Sequence, residues 1–113
     1  MDLKKLYGDA CVRLGRELPI YEFLSYVDTC VRTLLCRYQK KLLIGISEYT
    51  SPESLNSSIA LDGIFYTAVL YFVLGSASGN EKLLEKCDLE AENAYRTLWK
   101  KAARGKRRVC DRW

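Results

Sequence analysis

No histidine occurs among the 113 residues. That removes the side chain most often used as a general base near neutral pH, and with it the commonest nitrogen ligand for zinc. Carboxylates are plentiful, but no two of them are set among apolar residues in a way that would push their pKa values apart into an acid and a base. The expectation is a protein that is not an enzyme, with no catalytic residues, cofactor or metal. The five cysteines, Cys11, Cys30, Cys36, Cys87 and Cys110, are odd in number, scattered, and nowhere paired as CxxC. Most fall at or beside apolar positions of expected helices, the pattern of small buried hydrophobes in a reducing compartment. Only two prolines and seven glycines punctuate the chain, which favours a few long helices over many short strands. No apolar stretch of signal-peptide character follows Met1–Lys5.

What is present suits one domain. Hydrophobic residues make up 49% of the chain and charged residues 28%, a balance that supports a packed core of modest size and argues against disorder. Apolar residues Leu3, Leu6, Tyr7, Ala10, Cys11 and Leu14 repeat with helical spacing. Asp2 is placed to cap that first helix and Gly15 to end it. A second helix is expected from Pro19, a residue suited to a first helical turn, with an unbroken apolar stripe from Ile20 through Leu34, Leu35 and Tyr38 to Leu42. The polar stretch around Ser47–Ser54, which holds the second proline, reads as the main loop.

The third segment, from about Ile59 to Leu74, is the most apolar, and Ile64–Leu74 carries no charge. A membrane span needs about 20 apolar residues. Asp62, Gly63, Gly75 and several hydroxyl side chains dilute this one, and no basic cluster flanks it. It therefore reads as a central helix stopped at Gly75. A fourth helix is expected from Asn80 or Glu81 to a stop at Gly105. Its apolar face is Leu83, Leu84, Cys87, Ala91, Ala94, Tyr95, Leu98, Trp99 and Ala102, and its acids come early and its bases late, as the helix dipole prefers.

Charge is unevenly spread. Residues 1–99 hold 11 basic and 13 acidic side chains, whereas residues 100–113 hold seven basic and one acidic. The positive excess thus lies in the last fourteen positions, in Lys100, Lys101, Arg104, Lys106, Arg107, Arg108 and Arg112. The expected organisation is a helical bundle over 1–103 and a basic C-terminal tail over 104–113. Such a block repels itself and finds an acidic partner, either nucleic acid or an acidic protein surface, or serves solubility alone. The terminal Trp113 beside Arg112 has the character of an anchor for a partner's pocket. Candidate partner-binding residues are accordingly Arg104, Lys106, Arg107, Arg108, Arg112 and Trp113. The acids of the fourth helix, Glu81, Glu85, Asp88, Glu90 and Glu92, could meet Arg32, Arg37, Lys40 and Lys41 of a neighbouring copy, or pair locally as a solvated helix face.

Ala60-Leu61-Asp62-Gly63-Ile64-Phe65-Tyr66-Thr67-Ala68-Val69-Leu70-Tyr71-Phe72, followed after a Ser-Gly-Asn turn by Lys86–Tyr95, resembles the small head–tail connector (adaptor, or neck) proteins of tailed bacteriophages. In that family an apolar helix of the type aLxxAvxyfxL packs against a later helix of the type xxxEAxxAYxxxW. The opening fits too, with a short helix, the break Gly15-Arg16-Glu17-Leu18-Pro19, and a helix ending Leu34-Leu35-Cys36-Arg37-Tyr38. The resemblance spans most of the chain as a pattern of helices and apolar spacing. It implies an all-α bundle of four or five helices, forming a cyclic homo-oligomer, commonly a dodecamer, below the portal protein and around the DNA channel. It further implies partners in the portal and the tail or neck proteins, non-specific contact with DNA, no membrane, and location in the virion after assembly in the host cytoplasm. The family has no catalytic residues to carry over. By this analogy the tail from Arg104 to Trp113 docks on the portal or faces DNA. The competing expectation is a small helical nucleic-acid-binding protein that uses the same basic tail.

Overall fold

The Asp2 carboxylate accepts the amide hydrogens of Lys4 and Lys5 at 3.0 and 3.4 Å, and so starts helix α1, Leu3–Leu14. Gly15 ends it in the left-handed region, φ 70°, as only glycine does without strain. Leu3, Leu6 and Ala10 are fully buried, which is the expected face. The computed structural model describes residues 1–45 and 47–110, the side chains of 104–110 excepted. Within it the chain is all-α: five helices and one 3-10 turn.

Helix α2, Ile20–Arg37, begins directly after Pro19, which has no capping side chain and whose carbonyl accepts the Phe23 amide hydrogen at 3.0 Å. Phe23, Val27, Cys30, Val31 and Leu34 form its buried stripe. The helix does not reach Leu42 as the continuous stripe suggests. It stops at Tyr38, which is extended, and a separate short helix α3 follows, Lys40–Ile44. The reason lies in Leu43. In an unbroken helix nine residues carry it a half-turn away from Leu34, onto the solvent face. With the break, Leu43 and Ile44 both turn inward and are buried, and the Tyr38 ring stacks on Tyr95 with centroids 4.4 Å apart.

The third helix also begins later than expected. Residues 59–62 are not helical, and Ile59 and Leu61 are buried while Ala60 and Asp62 are exposed. The Leu43 carbonyl accepts the Asp62 amide hydrogen at 2.9 Å. Asp62 then caps the 3-10 turn Gly63–Phe65, which leads into α4, Tyr66–Ser78. This is the central helix. Ala68, Val69, Leu70, Val73 and Leu74 are buried, and α1, α2 and α5 all pack on it. Gly75 does not stop it. The stop is Gly79, φ 67°, four residues on. Among the described residues no helix is long and apolar enough to cross a membrane.

Helix α5 runs from Glu81 to Cys110, 30 residues and about 45 Å. Asn80 caps it, accepting the Lys82 amide hydrogen at 3.0 Å. Cys87, Ala91 and Ala94 are buried against the bundle. The expected helix stop at Gly105 is absent: α5 continues through it to Cys110.

The segment between α3 and the 3-10 turn is fastened at several points. Tyr49 and Ser51 each donate a hydroxyl hydrogen bond to the Asp28 carboxylate, at 2.7 and 2.8 Å. Arg32 pairs with the same carboxylate at 3.1 Å and also donates to Ser51. At the other end of the segment the Met1 nitrogen donates to the Ile59 carbonyl, and Asp2 bridges Ser58.

Candidate partner-binding surface

The residues singled out for binding lie at the end of α5. Arg104, Lys106, Arg107 and Arg108 fall on its last turns, where the helix backbone places four cations within two turns. Arg112 and Trp113 lie outside the described residues. The structure adds a neighbouring feature that spacing alone concealed. Trp99, expected on the buried face of α5, is 54% exposed. Helix α4 has 13 residues and its 3-10 lead-in three, against 30 in α5. The two helices meet at the Gly79 turn and run back alongside each other, so α5 outlasts its main partner. Beside α4, helix α5 is met by α3 and by the 3-10 turn.

Two grooves flank the Trp99 ring. One, about 350 Å³, is lined by Gln39, Lys41, Leu42, Trp99, Ala102 and Ala103. The other, about 310 Å³, is lined by Tyr95, Arg96, Trp99 and Lys100. Their linings are mostly apolar with exposed cations among them, Lys41 in the first and Arg96 and Lys100 in the second, and Lys40 and Lys101 are exposed next to these along the chain. The surface therefore joins a half-buried aromatic anchor to a cluster of positive charge that continues along the helix into Arg104–Arg108. An indole with apolar flanks and an outer ring of cations suits an acidic partner carrying an apolar side chain.

The charges expected to bridge copies are partly used at home. Arg32 pairs with Asp28, and Arg37 pairs with Asp88 across the α2–α5 contact at 3.0 Å. Glu92 pairs with Arg96 one turn along α5 at 2.6 Å. Lys40 and Lys41 carry no ion pair among the described residues.

A second cluster lies between α2 and α5, where Cys30 and Cys87 are both buried and line a small cavity with Phe72, Leu84 and Arg37. The two thiols face each other across the α2–α5 contact. The neighbouring Cys87 thiol, and burial after it, push Cys30 up, while the neighbouring Cys30 thiol holds Cys87 below the ordinary thiol value. Cys11 is half-buried and Cys36 exposed, so the reading of the cysteines as core residues holds for two of the four that are described. Among the described residues no three potential metal ligands gather.

The Asp28 carboxyl also has a shifted affinity for protons. Burial pushes it up, but the hydrogen bonds from Tyr49, Ser51 and Arg32 outweigh burial and hold it below the ordinary carboxylate value. This belongs to the anchoring of the 45–62 segment. The Tyr66 hydroxyl plays a similar part between helices, donating to Asp9 of α1. Comparison with family models, with curated proteins and with solved structures finds no match to this chain.

Proposed function

We propose that the chain is a non-enzymatic structural component of a virion or related particle, a head–tail connector that assembles as a ring below a portal and docks through the C-terminal part of α5. The observation that carries a docking role is the Trp99 surface: an exposed aromatic over two apolar grooves, ringed by cations and continuous with the basic end of the helix. The connector identity rests on the sequence resemblance, with which an all-helical body and a long last helix agree. The portal and the tail or neck proteins are its proposed partners, and DNA in the channel is a contact held through phosphates alone.

The test uses the full chain and a form lacking residues 104–113, each presented to an immobilised portal ring and to duplex DNA. The full chain should be retained by the portal, and the shortened chain should fold with unchanged core helices yet bind it more weakly. Retention of neither form on the portal, together with DNA affinity that falls about a thousandfold between 50 and 200 mM salt, would replace the connector with a nucleic-acid-binding protein.

A further inference from the structure

Among the described side chains of helix α5 two large apolar ones are exposed, and they stand in fields of opposite sign. Leu89 is 62% exposed. Its neighbours on the helix and along the chain are Glu85, Asp88, Glu90 and Glu92, against the single cation Lys86. Ten residues on, Trp99 borders the groove of about 350 Å³ whose floor is Leu42, Ala102 and Ala103 and whose rim is cationic. One patch is an apolar knob in an acidic surround. The other is an apolar recess in a basic surround.

We propose that Leu89 of one copy seats in the groove beside Trp99 of a second copy, head to tail. Burial of the leucine against the indole supplies the contact, and the opposed charges around it fix which way the copies face. Lys41, which lines the groove, and the exposed Lys40 next to it in the chain are unpaired with any described acid of their own chain and are available to receive Glu85 and Glu90 of the next copy. Because the contact joins two different patches, each assembly of copies keeps one knob and one groove free at its ends, and it grows until it closes on itself. Closure as a ring rests on the connector reading; the contact itself does not.

Two variants divide the contact between them. Leu89→Lys loses the knob and keeps the groove, whereas Trp99→Ala loses the groove wall and keeps the knob. Both positions are exposed, and helical content by circular dichroism should stay at the wild-type level. In light scattering over a concentration series, wild type should grow beyond two copies, and either variant alone should self-associate at least tenfold more weakly. An equimolar mixture should recover a species of two copies that grows no further, since one good contact forms and both outer ends are spoiled. A mixture that stays monomeric, a variant that assembles like wild type, or a wild type that halts at two copies overturns the proposal. Recovery by mixing in a protein that ignores the portal would leave the contact standing and remove the connector. A ring of Leu89→Lys formed on the portal would do the reverse.

Discussion

A Cβ at Gly75 would stand 2.8 Å from Leu84 Cδ2 and 3.1 Å from the Leu84 backbone nitrogen. The side chain could turn aside, but the backbone of α5 would have to move as well. Gly75 is therefore a close-approach position between α4 and α5, and its absent side chain lets the two helices meet just before the Gly79 turn. Ordinary helix preference favours alanine over glycine by up to about 1 kcal/mol. Overpacking works against it at about 1–3 kcal/mol. Gly75→Ala is expected to lower stability by about 1–2 kcal/mol, read as a lower denaturation midpoint. A stabilised protein would mean that the helices are more loosely joined than described. At the same scale Gly105 shows that a glycine does not always break a helix: α5 runs through it. Sequence alone ranks both glycines as stops, and for Gly75 the difference lies in the close approach of Leu84.

Among the elements, α1 was the most legible. Its cap, its stop and its buried face follow from Asp2, Gly15 and the spacing of Leu3, Leu6 and Ala10. The end of α2 was hidden, because a stripe that continues through Tyr38 and Leu42 fits one long helix as well as two. Only the burial of Leu43 decides between them, and that depends on α5. The start of α4 was hidden for a related reason: Ile59 and Leu61 are apolar enough for a helix, but they are buried in a non-helical segment tied down by the Asp2–Ser58 bridge and by the Asp62 amide on the Leu43 carbonyl. The exposure of Trp99 was illegible because periodicity records a face and not where the partner helix ends. The segment from α3 to α4 is held to α2 through Asp28, whose proton affinity is lowered in the folded state. Its contribution should be complete above the ordinary carboxylate range near 4 and fade as the pH falls below it. Asp28→Asn should therefore destabilise the protein at pH 7 and lose that penalty toward pH 2. Denaturation midpoints of the two proteins across that range check this. A gap that persists unchanged into acid would show that the carboxylate's charge is not what holds the segment.

For the whole molecule, charge is arranged along one helix. The first half of α5 is predominantly acidic and its second half basic, which complements the helix dipole and gives the protein two unlike ends. A body polarised in this way suits repeated, directional contact better than binding at a single site. Its basic end, the Trp99 surface and the proposed ring all depend on that polarity. The measurement that reaches the central claim most directly is the mass in solution by light scattering, at low and high salt, with and without a portal ring. The account predicts a closed multiple of the 13.0 kDa chain, formed alone or on the portal. A 13.0 kDa monomer that ignores the portal at both salt concentrations, and binds DNA in low salt only, would contradict it.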